Sequence, residues 1–247
     1  MSATKTYTQT EAEFEKLAQA IQYYLSYVTL VTQSSKNNFV SESTIRYPLA
    51  EYIERRFENV ETLELEHSYP FFKKRRCDIY IENKTDNEKK FKSVFFVELK
   101  YARQTSDMQD YFDDLLRLFF AIEQNPSQNE IRAFFIVCGN AVNFPYVFRH
   151  RQTKNDYNTE PTNSPDRKKE LPFCNWLSFD EASPTMTIET SKNQKEWEIF
   201  QDDYKPQGFD FKQNYKFETQ LLKYVKSSID GDGIVDVAVW EIKKVTN

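Results

Sequence analysis

The chain has 247 residues, enough for one good-sized domain or a core domain with an elaboration. Its 39% apolar and 29% charged residues describe an ordinary globular protein, and a net charge of −5 gives no global field that draws in nucleic acid. Only 4 residues are Gly, 2 are His and 3 are Cys, which leaves no Gly-rich phosphate cradle, no CxxC pair and no basis for a structural zinc site.

A first helix is predicted to open at Thr10, where Thr10 and Glu13 have capping-box spacing. Phe14, Leu17, Ile21, Leu25 and Val28 then recur every three or four residues. The polar stretch from Gln33 to Asn38 reads as a linker. A second helix runs from about Ser41 to Phe57, with Ile45, Leu49, Ile53 and Phe57 on one stripe and Pro48 inside it, which predicts a kink or a later start. Three strands follow. Thr62 to Ser68 is the first. Arg76 to Glu82 is the second, and its alternation puts Cys77, Ile79 and Ile81 on one face and Asp78 and Tyr80 on the other. Phe91 to Tyr101 is the third, with the apolar run Val94 to Val97 marking a buried central strand.

Ser106 and Gln109 form a second capping-box spacing ahead of a helix striped by Leu115, Leu118, Phe119 and Ile122. Ile131 to Cys138 reads as another buried strand. The polar stretch from Gln152 to Lys169 reads as a long loop. Thr185 to Thr190 reads as a strand, Tyr215 to Ile229 as a helix and Ile234 to Val245 as a closing strand. The expected fold class is α/β: a mixed central sheet flanked by helices. The expected organisation is an N-terminal accessory helix over 1–40, a core over 41–148 and a C-terminal elaboration over 149–247 packed on it as one unit. The N-terminus has no apolar segment of signal-peptide type and no run approaches membrane-helix length, so a cytoplasmic protein is expected.

The chemistry-bearing segment is Asp78 on one strand, then Glu98-Leu99-Lys100 on the next. Glu98 and Lys100 are two apart and share a face. A turn centred near residue 87 brings Asp78 opposite about residue 96, close to Glu98. Two carboxylates and an ammonium at a sheet end can hold Mg²⁺ through oxygen ligands and place a water for attack on phosphorus. Glu88 and Lys90 have the same spacing but lie in a polar turn. Glu241 and Lys243 lie on a strand, but Asp236 is five residues away and faces the other side.

With the order helix, three strands, helix, strand over about residues 41–140, this trio resembles the PD-(D/E)xK nuclease superfamily, the restriction-endonuclease-like fold. The residue before the aspartate is Cys77, where such families often have Pro. The resemblance implies Asp78 and Glu98 as metal ligands and Lys100 as the residue that orients the water and steadies the phosphate. The cofactor it implies is Mg²⁺, with Mn²⁺ as substitute. Many members carry a further Glu on the first core helix. At ~100° per residue from Ile45, Glu42 falls at about 60° on the apolar stripe and Glu51 at about 240° on the solvent side, which favours Glu42. Gln109 is a further candidate on the following helix.

Lys73, Lys74, Arg75 and Arg76 run into Asp78 and could grip phosphates beside a metal, with Arg149, Arg151 and Lys154, then Arg167 to Lys169, extending the path. Tyr101, Tyr111 and Tyr146 could stack on bases. Cys77 reads as a buried structural thiol, His67 as a surface residue, and Asp230 to Gly233 as a turn. The leading expectation is a Mg²⁺-dependent phosphodiesterase, a DNA endonuclease ahead of one acting on RNA. A role in restriction or defence comes only from the resemblance. A homodimer is allowed and no membrane is expected. The alternative is a catalytically inactive nuclease-like module that binds nucleic acid or serves as a protein scaffold.

Overall fold

The computed structural model describes residues 9–32, 41–83, 92–102, 108–124, 130–140, 176–209, 211, 214–226 and 235–245. Its elements in chain order are α1 (Gln9–Thr32), α2 (Glu42–Arg56), β1 (Val60–Ser68), β2 (Arg76–Asn83), β3 (Ser93–Ala102), α3 (Met108–Glu123), β4 (Glu130–Asn140), β5 (Thr185–Glu189), α4 (Gln194–Tyr204), β6 (Lys216–Val225) and β7 (Val235–Lys244). All seven strands form one mixed sheet in the order β1-β2-β3-β4-β7-β6-β5. The strands after residue 149 therefore continue the sheet of the first four. The three neighbours β1, β2 and β3 are antiparallel, and β3 and β4 are parallel, with α3 as the crossover. β7 inserts antiparallel between β4 and β6, so it lies inside the sheet and not at its end. No described helix is long and apolar enough to cross a membrane.

Two apolar layers hold the helices to the two faces. On one face Phe14, Leu17 and Leu25 of α1 and Ile45, Leu49 and Ile53 of α2 pack on Ile79, Ile81, Phe95, Val97 and Phe134. On the other, Phe112, Leu115, Leu116, Phe119 and Phe120 of α3, with Trp197, Phe200 and Tyr204 of α4, pack on Tyr80, Phe96, Phe135 and Trp240. This second layer is aromatic, with Phe120 against Phe200 and Phe72 against Tyr204 at ring separations of 5.9 Å and 4.6 Å. Such pairs add to the burial of the rings themselves.

Helix α2 has the predicted limits. Ser41 is its extended N-cap and its N–H donates to Thr44 Oγ1 at 3.3 Å, while Phe57 closes it with an N–H on the Ile53 carbonyl at 2.9 Å. Pro48 stays inside the helix and leaves the Thr44 carbonyl without its amide partner.

One expectation is corrected, and one element is new. Tyr215 to Ile229 is not a helix: its described part forms β6. Phe217, Leu221 and Tyr224 imitate helical spacing because the register shifts between Leu221 and Lys223. That irregularity brings Tyr224 to the aromatic layer and Val225 to the α1–α2 layer, the reverse of strict alternation from Leu221 and Leu222. Helix α4 was not anticipated, although Trp197, Phe200 and Tyr204 mark a helical stripe that is buried.

Candidate functional site

The β2–β3 hairpin pairs Ile79 with Val97 and Tyr80 with Phe96, which continues to Asp78 opposite Glu98. The two carboxylates are neighbours, and the Asp78 charge acts on the Glu98 carboxyl. Both residues are buried, Asp78 at 9% exposure and Glu98 at 4%. Burial first, and then the Asp78 charge, push the Glu98 carboxyl up to about 8, against the opposing pull of Arg117 and of the hydrogen bond from Tyr69. Tyr69 Oη donates to Glu98 Oε1 at 2.6 Å, and burial with that neighbouring carboxylate holds the phenol protonated.

The helices on the two sides of the sheet each send a cation to this pair. Arg46 of α2 bonds Asp78 Oδ1 and also donates to Glu66 Oε1 at 2.6 Å. The second oxygen of Asp78 accepts the Leu99 N–H at 2.7 Å. Arg117 of α3 approaches Glu98 Oε1 at 3.9 Å, donates to the Tyr204 hydroxyl at 3.1 Å and pairs closely with Asp114. Lys100 Nζ lies 2.8 Å from the other oxygen of Asp114. Glu98, Arg117, Asp114 and Lys100 thus alternate in sign along one chain, with α3 supplying the inner two members.

The face predicted for Cys77 is corrected. It packs in the aromatic layer with Tyr80, while Ile79 and Ile81 face α1 and α2. The alternation breaks beside Glu66, whose φ of 55° lies in the left-handed region. Leu65 packs toward α1 and α2, the Glu66 carboxylate meets Arg46, and His67 stacks on Tyr80 at 3.9 Å. Asp78 consequently sits at the rim between the two faces: gripped from the α2 side, yet beside Glu98 on the α3 side. The Cys77 thiol is buried and its ionisation suppressed by that burial and by the Glu98 charge.

Glu42 points to the sheet as its helical phase requires, and its Oε1 accepts the Tyr101 N–H at 3.4 Å. Glu51 is exposed and pairs with Arg55 at 2.5 Å. Gln109 donates to Asp113 Oδ1 at 2.7 Å and to the Glu196 carbonyl at 3.1 Å, so its amide ties α3 to α4. Of the basic run, Lys73 and Lys74 are exposed, Arg75 lies over the Tyr204 ring near Asp203, and Arg76 pairs with Glu66 at 3.4 Å. Arg149, Arg151, Lys154, Tyr146 and Arg167 to Lys169 lie outside the described residues. Tyr101 and Tyr111 are 7% and 1% exposed, so neither ring offers a face to a base, which corrects that expectation. The second strand-borne Glu-x-Lys is a separate cluster on the α1 side: Glu241 binds Arg132 at 2.6 Å and Lys243 at 3.0 Å. Asp236 faces away and accepts from the Tyr224 hydroxyl at 2.8 Å.

Arg46, Glu66, Tyr69, Asp114 and Arg117 were not anticipated. Only the Asp114–Arg117 spacing carried a signal, since residues three apart on a helix are neighbours. Two neighbouring carboxylates, one with its ionisation opposed by burial and by the charge of the other, form a donor set whose repulsion a divalent cation relieves when both are ionised. Among the described residues no group of three or more His, Cys, Asp or Glu side chains is placed to hold a metal. Mg²⁺ characteristically takes one or two carboxylates and completes its shell with water and phosphate oxygens, so the pair fits that ion. Comparison of the chain with family models, with curated proteins and with solved structures gave no match.

Proposed function

We propose that the protein is a metal-dependent phosphodiesterase acting on nucleic acid, DNA ahead of RNA. The observation that carries this reading is the register of β2 and β3, which sets Asp78 beside Glu98 on adjacent strands, with Lys100 two residues beyond. The order α2, β1, β2, β3, α3, β4 around them supports it, as the PD-(D/E)xK resemblance implies. Asp78 and Glu98 would hold Mg²⁺, which when bound supplies Lewis acidity and lowers the pKa of the water it holds.

The chain's own groups do the rest. Tyr69 and Arg117 fix the Glu98 carboxylate from two directions, so that it meets an incoming ligand in one orientation. Asp114 holds the Lys100 ammonium on the same face as Glu98, where it can steady the charge that grows on a phosphate oxygen. Lys73 and Lys74, exposed on the turn between β1 and β2, supply phosphate contacts that position a strand without reading its sequence.

A second reading, a nuclease-like module that binds nucleic acid without cutting it, is favoured by the internal pairing of Asp78 with Arg46 and Lys100 with Asp114. Cleavage of plasmid, single-stranded DNA and RNA with Mg²⁺ or Mn²⁺ separates the two. The phosphodiesterase cuts at least one, and Asp78→Asn and Glu98→Gln each lower the rate at least ~100-fold. No cleavage of any substrate leaves the binding module as the reading, and equal cleavage by the variants overturns Asp78 and Glu98 as the cutting site.

A further inference from the structure

Arg46 reaches Asp78 from a different helix and a different face of the sheet than any other cation at the site. Its guanidinium is stretched between two carboxylates on adjacent strands, Glu66 of β1 and Asp78 of β2. Glu66 is in position for this only because its left-handed backbone reverses the alternation of β1. The two terminal nitrogens are engaged, while the Arg46 Nε is buried with no hydrogen-bond partner. The guanidinium therefore holds a donor in reserve that its present position does not use.

Both oxygens of Asp78 are engaged: Oδ1 faces Arg46 and Oδ2 accepts the Leu99 amide. The Leu99 amide is a backbone group of β3 and is fixed in place. A divalent cation at Asp78 and Glu98 comes close to the Arg46 guanidinium whichever oxygen it takes, since both belong to one small carboxylate, and two neighbouring positive centres repel. Arg46 is the mobile member, because its side chain is long and its second anchor, Glu66, is 52% exposed.

We propose that Arg46 is an exchangeable placeholder and phosphate ligand. In the cation-free protein it neutralises Asp78. When a divalent cation arrives it leaves Asp78, keeps Glu66 as its pivot and turns its freed donors to a nonbridging oxygen of the nucleic-acid phosphate held beside the cation. A planar fork with several N–H groups suits that oxygen, whereas an ammonium offers only a point charge. The inference rests on the reading of Asp78 and Glu98 as cation ligands and adds the residue that competes with the cation.

The test is calorimetric titration of the full chain with Mn²⁺ alone, followed by binding of a short DNA duplex in Ca²⁺. Removing a competing ion pair in Arg46→Gln should tighten Mn²⁺ binding ~3–10-fold. The same variant should bind the duplex in Ca²⁺ more weakly by ~10-fold, a charge-assisted phosphate contact being lost. Arg46→Lys, which keeps the charge without the fork, should tighten Mn²⁺ less and restore duplex binding only in part. It carries the test if Arg46→Gln does not fold. A merely structural Arg46 would weaken both, or change neither. Unchanged or weaker Mn²⁺ binding in these variants, with clear binding by the wild type, overturns the placeholder and leaves the cation site standing. No Mn²⁺ binding by the wild type overturns both.

Discussion

Replacing Glu98 by Gln stabilises the protein at pH 8 and flattens the dependence of its stability on pH. The Glu98 carboxyl is raised from 4.5 to about 8, by burial and then by the Asp78 charge. A carboxyl raised in this way keeps its proton in the folded state where the unfolded chain has lost it. Its contribution is fully present below 4.5 and is lost as pH rises through the window up to about 8. The loss across that window is on the order of 4 kcal/mol. Gln keeps the shape of the side chain and an oxygen for the Tyr69 hydroxyl, and has no proton to lose. Urea unfolding at pH 5 and pH 8 measures the effect: the wild type loses stability between them and Glu98→Gln does not. Parallel losses in both proteins would show that Glu98 ionises freely and is not the strained partner of Asp78. Mn²⁺ added to the wild type should stabilise it more at pH 8 than at pH 5, because the cation binds the ionised form.

Asp114→Ala should cost about 3–5 kcal/mol, the usual penalty for stranding one half of a buried ion pair. The Asp114 side chain is 1% exposed and faces Lys100 at 2.8 Å and Arg117 more closely still. Arg117 is itself buried, and although burial is the strongest single influence against its charge, Glu98, Tyr204 and Tyr69 together outweigh it, so it stays a cation and stays inside. Among the described residues, removal of Asp114 leaves that guanidinium Glu98 at 3.9 Å and the Tyr204 hydroxyl. Arg117→Ala should cost a similar amount by leaving Asp114 against Lys100 alone. The double variant should cost less than the two single losses together, with a coupling of ~1–3 kcal/mol in a denaturation cycle. Strict additivity would mean that the two residues do not act as one unit.

The parts of this protein that follow local rules were legible in the sequence. Helix α2 begins and ends where Ser41 and Phe57 predict, because a cap is a contact among a few consecutive residues. The phase of that helix placed Glu42 on the sheet and Glu51 in solvent, since burial of Ile45, Leu49 and Ile53 fixes its rotation. The hairpin register was off by about two residues in the opposite residue assigned to Asp78, yet it brought Asp78 to Glu98, because the length of a turn constrains what it joins.

What escaped depends on partners distant in the chain. Arg46 lies twenty residues from Glu66 and thirty-two from Asp78, and on its own helix it reads as the flank of an apolar stripe. The reversal at Glu66 has no local mark, because a left-handed glutamate is held by the sheet and by Arg46 and not by its own preference. Asp114 and Arg117 have the spacing of an exposed helical pair, and only the packing of α3 against β3 and α4 makes them a buried one. Strand β6 imitates a helix through one irregularity, and the pairing with β7 decides its form.

Titration of Mn²⁺ into the wild type and Glu98→Gln at pH 8 addresses the pairing of Asp78 with Glu98 most directly. The wild type should take up Mn²⁺ at this pair with release of a proton, and Glu98→Gln should bind at least ~10-fold more weakly with no proton released. Equal binding by the two proteins, or no binding by either, would contradict a cation held between these strands.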